Sequence, residues 1–221
     1  MRRGQARGSA VSCRQLSYTR GRPVLTVLRH SARRAANHLQ DLWLGISTTG
    51  TAPAELPGHV YYATVTYSCT RSVLRKLNLT EADTFADVGC GKGRVVCLAA
   101  RHKIQRAIGI EYSSTRADVA KRNVARLRGR RADAKILCQA AEETDYTDVT
   151  ALYFFNPFEP PLLDSVLNKI RSDRQGRATR MAFVMESVGH KEVFSRHEWL
   201  TCCERFEDGD KHIVAFYRTP K

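Results

Sequence analysis

The apolar positions change period along the chain. Residues 24–44 place Leu25, Leu28, Ala32, Ala35, Ala36, Leu39 and Leu42 at roughly helical spacing, which predicts a first helix. GISTTGTAPAELPG (45–58) breaks that period with Gly, Pro, Ser and Thr and reads as a loop. YYATVTYSCTRSVLRKLNL follows, most of it a helix leading into the main domain. From residue 84 short apolar runs alternate with amphipathic stretches. TFADV, RAIGIE, AKILCQ, ALYFFN and RMAFVME read as strands. GRVVCLAARHK, STRADVAKRNVARLRG and PLLDSVLNKIRS read as the helices among them, the second opened by a Ser or Thr cap and the third by proline. The nearly continuous apolar character of ALYFFN suits a strand covered on both faces. WLTCCERFEDGDKHIVAFYRT reads as two strands around Asp208, Gly209 and Asp210, a hairpin signal.

Alternating strand and helix predicts an α/β fold with a doubly wound, mostly parallel sheet. The terminal hairpin adds an antiparallel strand, and a helical arm precedes the sheet. The 221 residues suffice for one sizeable core and an extra arm. No apolar run reaches the roughly 18 residues of a membrane helix, so a soluble protein is expected. The net charge of +14 is unevenly placed: residues 1–40 carry nine arginines and no acid, and the rest is only mildly basic. Three readings fit this basic arm: a solvated tail, an electrostatic anchor for an acidic partner, or an Arg-rich mitochondrial transit peptide. Seven cysteines show no C-x-x-C spacing, and Cys90, Cys97 and Cys138 lie in apolar runs as small hydrophobes. Neither a disulfide framework nor a metal site is indicated, and a reducing cytoplasm fits best.

The chemistry concentrates after the first strand. In DVGCGKG, Asp87 is followed by Gly89, Cys90, Gly91 and Gly93 at the place where open parallel sheets bind ligands. Missing Cβ atoms let a ligand approach the main chain there. The spacing departs from the dinucleotide pattern: the third glycine comes one residue early, and Arg94 stands where glycine is wanted. No G-K-[ST] follows, so a phosphate loop fits poorly. The second strand ends at Glu111 and Tyr112, and a carboxylate there can accept both hydroxyls of a ribose.

FADVGCGKGR, AIGIEYS and YFFNPF together resemble the class I, Rossmann-like S-adenosylmethionine-dependent methyltransferases, over about residues 60–217. More narrowly, the chain is similar to an uncharacterised bacterial group that pairs this glycine loop with N-P-F. That group carries an upstream G-[IV]-x-T loop, here Gly45–Thr48. The resemblance divides the chain into a basic arm and loop (1–58) and a methyltransferase domain (59–221). It implies S-adenosylmethionine as cofactor. Asp87, Gly89, Cys90 and Gly91, with Gly93 behind them, would face its methionine end, and Glu111 and Tyr112 its ribose side. Where the family often has an acid beside adenine this chain has Ala140 and Ala141. Either Glu142 takes over or main chain reads the base.

FFNPF ends the fourth strand beside the glycine loop. Asn156 can accept an amine N–H through its side-chain oxygen and so orient a nitrogen lone pair, while Pro157 stiffens the turn. Phe155 or Phe158 could stack on a flat acceptor. Asn156, Pro157 and Phe158 are therefore the catalytic candidates, with Asn156 also near the cofactor. The bland alternative is an Asn-Pro turn over core phenylalanines. Tyr61, Tyr62 and Tyr67, or Thr48 and Thr49, could close over the site. His190 is a candidate base, with a surface histidine the plainer reading. The run RNVARLRGRRADAK is read as a solvated basic face, with nucleic-acid contact as its alternative. The leading expectation is a methyltransferase acting on a small molecule or a protein nitrogen. A nucleic-acid methyltransferase and a cofactor-binding partner protein without catalysis are the alternatives.

Overall fold

A computed structural model describes residues 24–51, 57–59 and 63–220. Seven strands form one sheet in the order β3-β2-β1-β4-β5-β7-β6. The strands are β1 (Thr84–Val88), β2 (Arg106–Glu111), β3 (Asp133–Cys138), β4 (Ala151–Phe155), β5 (Arg180–Val184), β6 (Thr201–Glu207) and β7 (Ile213–Arg218). β1 to β5 pair in parallel, and β7 pairs antiparallel with both β5 and β6. This is the doubly wound sheet with a C-terminal antiparallel hairpin that the pattern predicts. The order reverses at β1, which lies between β2 and β4, so the switch point falls where β1 and β4 end.

The helices are α1 (Val24–Leu44), α2 (Tyr67–Lys76), α3 (Arg94–Ala99), α4 (Ser114–Arg126), α5 (Pro160–Asp173) and α6 (Val188–Arg196). One hydrophobic cluster joins Leu44 of α1, Val73 and Leu74 of α2, Val96 of α3 and Ala120 of α4. The other joins Leu163, Leu167 and Ile170 of α5 to Val193 and Phe194 of α6. All five residues of β1 are buried, as a strand covered on both faces requires. The outer strand β6 is almost wholly exposed and carries Glu204, Arg205 and Glu207, charges that blunt a free edge. Among the described residues no helix is long and apolar enough to cross a membrane.

Three elements differ from the sequence reading. α2 begins only at Tyr67, where the Thr66 side chain accepts the Cys69 N–H and sets the start, and residues 63–66 are not helical. α3 stops at Ala99, near the end of its apolar run and short of the predicted end at Lys103. α6 follows β5 where no helix was expected.

The end of α1 is packed into the sheet domain. Asp41 is buried and accepts the Thr48 N–H at 2.7 Å and the Tyr67 hydroxyl at 2.5 Å. Arg94, the first residue of α3, is also buried. Its Nε donates to Thr48 Oγ1 at 2.7 Å, its Nη1 to the Val65 carbonyl at 2.7 Å, and its Nη2 faces Asp41 at 3.5 Å. The guanidinium lies 4.5 Å from the Tyr67 ring centroid. Arg94 thus satisfies four partners around one buried ion pair, as a desolvated charge demands.

Candidate active site at the switch point

The loop after β1 and the loop after β4 meet face to face. Gly89 has φ +80°, and a Cβ there would lie 2.5 Å from Pro157 Cβ. Only glycine permits both the turn and the approach of the second loop. Gly91 donates its N–H to Glu111 Oε2 at 2.8 Å, which fastens the glycine loop to the end of β2. Gly93 opens α3 and packs on Ala120. Cys90 is buried beside Gly109, where a Cβ would fall 2.7 Å from the sulfur. Asn123, fully buried on α4, donates to the carbonyls of Ser47 and Lys92 and accepts the Ser47 N–H. One amide therefore fixes the upstream GIST loop against the glycine loop.

A pocket enclosing about 550 Å³ of open space lies between these loops. His59, Glu111, Tyr112, Gln139 and Ala141 line one part of it, and Gly89, Asn156, Pro157 and Phe158 another. Glu111 is buried; beyond Gly91, its Oε1 accepts the Ser113 N–H at 3.0 Å and faces Arg116 Nε at 3.1 Å. These contacts fill at least three of the roughly four lone-pair positions of a carboxylate. At most one position is then left for a ribose hydroxyl, rather than the two of a bidentate grip. Asp87 is buried in a smaller recess with Gly89, Cys90 and Phe155. Burial, then the charge of Glu111, drives its carboxyl well above the ordinary carboxylate range. A cationic ligand group beside it would offset that cost.

Asn156 carries the clearest chemical signal. Its φ is +41°, which asparagine tolerates better than most side chains, and Pro157 keeps it out of the right-handed helical region. Its Oδ1 is buried and, among the described residues, accepts no hydrogen bond. An unpaired acceptor in a pocket wall is a costly arrangement unless a ligand donor completes it.

Ala141 begins a short 3₁₀ turn (Ala141–Glu143) and lines the pocket, while Glu142 is exposed and outside its lining. Gln139 and His59 are pocket residues that the sequence reading missed. His59 sits 4.0 Å from the Tyr112 ring and 5.5 Å from Phe158, between centroids, and its bridge to Phe158 closes the upstream segment over the pocket. Burial holds its imidazole below the ordinary value, so it is neutral at pH 7.

Several suggested roles are corrected. Tyr67 is no lid; it is buried against Asp41 and Arg94. Thr48 faces the same ion pair rather than the pocket, and the Thr49 carbonyl accepts Lys92 Nζ at 2.8 Å. Tyr61 and Tyr62 lie outside the described residues. His190 is neither a surface residue nor a free base. It is buried; its Nε2 donates to the Phe158 carbonyl at 2.9 Å, and its Nδ1 therefore accepts the Ser187 N–H at 3.2 Å. It caps α6 and holds the N-P-F loop by its main chain.

The family model for the histone methylation protein DOT1 matches residues 58–139, less than half of the chain, and spans the glycine loop and the end of β2. Solved structures give a broader likeness. An RNA methyltransferase from Salinibacter ruber, in complex with S-adenosyl-L-homocysteine, superposes with a TM-score of 0.58 at 19% identity, covering 72% of this chain and 95% of that one. A TehB-like SAM-dependent methyltransferase from Corynebacterium glutamicum gives 0.53 at 15% identity, with 87% and 100% covered. The N-methyltransferase NodS from Bradyrhizobium japonicum gives 0.52 at 15%, with 70% and 96% covered. No match is found among curated proteins. At these identities the likeness is one of fold, and the fold is that of the class I S-adenosylmethionine-dependent methyltransferases.

Proposed function

We propose that the chain transfers a methyl group from S-adenosylmethionine to a nitrogen of a small-molecule or protein acceptor. The observation that carries this reading is Asn156 Oδ1, a buried acceptor without a donor among the described residues, on a residue that lines a pocket bounded by the glycine loop. The residues present fit the cofactor. Asp87, with the main chain at Gly89, would hold its methionine end, Glu111 a ribose hydroxyl, and main chain around Ala141 its adenine. When bound, the cofactor supplies an electrophilic sulfonium methyl. The protein's task is then orientation and exclusion of water.

Asn156 performs the orienting step. Its amide oxygen accepts one N–H of the acceptor, which turns the nitrogen lone pair away from Asn156. The proline-locked turn and the His190 bond to the Phe158 carbonyl fix that oxygen. Neutral His59, beside Tyr112 and Phe158, presents an uncharged ring to the pocket.

The test follows label from methyl-labelled cofactor into a cell extract, with nuclease or protease digestion to sort the acceptor. We expect Asn156→Ala to lower turnover at least 30-fold, about 2 kcal/mol, with S-adenosylhomocysteine affinity unchanged within threefold. Full turnover in that variant, or labelled oxygen in the acceptor, would overturn the reading.

A further inference from the structure

A second cleft lies at the other end of the sheet. It holds about 1470 Å³ of open space and is lined by Trp43, Arg71, Arg75, Arg101, Lys103 and Arg131 among others, with no carboxylate in its lining. The cations come from three separate parts of the chain: α2, the turn after α3, and the loop before β3. Among the described residues no carboxylate pairs with Arg71, Arg75, Arg101 or Arg131. Arg71 donates to Gln40, and Glu81 reaches Lys103 at 3.8 Å in an exposed pair. Cations complement the last turn of a helix, and α2 ends with Arg75 and Lys76. That accounts for one of the five, not for their convergence on one cleft.

Trp43 supplies the second observation. It is 57% exposed, yet its surroundings are fixed. The Arg101 guanidinium lies 4.4 Å from the ring centroid. Arg128 donates to the carbonyls of Leu42 and Trp43, and its own N–H donates to the Leu44 carbonyl at 2.9 Å. An exposed indole held in place among arginines that no described carboxylate pairs matches how single strands are gripped: phosphates on cations and a base on an aromatic face.

We propose that this cleft binds single-stranded nucleic acid, with Arg71, Arg75, Arg101, Lys103 and Arg131 facing phosphates and Trp43 stacking on a base. The cleft lies at the amino ends of β2 and β3, about 20 Å from the methyl-transfer pocket by the length of a six-residue strand. It is a docking surface, and binding there needs no cofactor and no catalysis. An acidic peptide would meet the charges but offer no base to the exposed part of the Trp43 indole beside Arg101. A duplex offers no unstacked base.

The test uses the full chain and a fluorescein-labelled 20-nucleotide oligouridine, read by anisotropy without cofactor, with the DNA counterpart alongside to tell the two sources apart. Four or five phosphate contacts predict a slope of log K on log salt of about −3, or about 60-fold weaker binding from 50 to 200 mM. Arg75→Glu with Arg131→Glu is expected to weaken binding at least tenfold. The control pair Arg171→Glu with Lys191→Glu changes net charge equally on the α5–α6 side and is expected to weaken it less than threefold. Trp43→Ala is expected to weaken it severalfold with the salt slope unchanged. Circular dichroism of each variant guards against loss of fold. Equal effects of the two charge-reversal pairs would overturn the proposal, since the arginine-rich residues 1–40 would then carry the binding. Polyglutamate competing as well as RNA per charge, or duplex bound more tightly than single strand, would overturn it too. Because Asn156→Ala leaves the cleft intact, failure here and failure of the methyl-transfer reading are distinguishable.

Discussion

Gly89→Ala tests the contact on which the site's geometry depends. A Cβ at residue 89 would stand 2.5 Å from Pro157 Cβ and 3.5 Å from its Cγ. Carbon atoms pack best at about 3.5–4.0 Å, so one or both loops must retreat by about 1 Å. Alanine at φ +80° adds a left-handed penalty of about 1–2 kcal/mol. Overpacking adds about 1–3 kcal/mol, for a total of about 2–5 kcal/mol. The two parts are separable. Pro157→Gly removes the struck Cβ, so the double variant recovers the overpacking part while the backbone penalty stays. Urea unfolding of the wild type, both single variants and the double variant gives the coupling. Effects of glycine and proline on the unfolded chain appear in the single variants and cancel in the cycle. We expect a coupling of about 1–3 kcal/mol and, in Gly89→Ala, at least tenfold weaker S-adenosylhomocysteine binding by calorimetry. Additivity within about 0.5 kcal/mol would refute the close approach of the two loops.

Other variants probe the buried charges. Asp41→Ala strands the Arg94 cation and is expected to cost about 3–5 kcal/mol in urea unfolding, and Asp41→Asn, which also removes the charge, should cost nearly as much; an Asp41→Asn variant as stable as wild type would argue against the ion pair. Glu111→Gln sets an amide NH2 against Gly91 N–H or against Ser113 and Arg116 and removes the charge facing buried Arg116, so it should weaken S-adenosylhomocysteine binding at least tenfold and destabilise the fold as well, less than Glu111→Ala, which removes every acceptor; unchanged affinity in both would remove Glu111 from the site. Asp87 has a raised folded-state pKa, so its ionisation weakens the fold as pH rises from the unfolded value through the folded one. Asp87→Asn should therefore be more stable than wild type at neutral pH, with the gap closing in acid, while cofactor affinity falls; a variant less stable at neutral pH would contradict this.

The sheet was legible because buried parallel strands leave unbroken apolar runs, as ALYFFN shows, and because helices between them keep a one-sided pattern. The terminal hairpin announced itself through Asp208, Gly209 and Asp210. α6 was hidden for a physical reason: of its residues only His190, Val193 and Phe194 are buried, too few to set a period. Its capping box uses histidine at the position where Glu or Gln gives the usual signal. The glycine and N-P-F loops could be located because turns demand particular residues. Their mutual contact could not, since it depends on how β1 and β4 lie side by side. Arg94 looked like a break in a dinucleotide motif. Its burial depends on Asp41, 53 positions earlier, which no local pattern reveals. His59 and Gln139 are single polar residues brought to the pocket by tertiary structure alone.

The buried pair of Asp41 and Arg94 has a practical consequence for anyone shortening this protein. Trimming the front of the chain as far as Leu44 deletes no group that lines the pocket, yet it withdraws the anion that steadies the first residue behind the glycine loop. Such a shortened protein would fail in a binding assay, and the failure would read as evidence that the missing piece recognises the ligand. The lesion would instead be mechanical, carried to the loop through a single guanidinium.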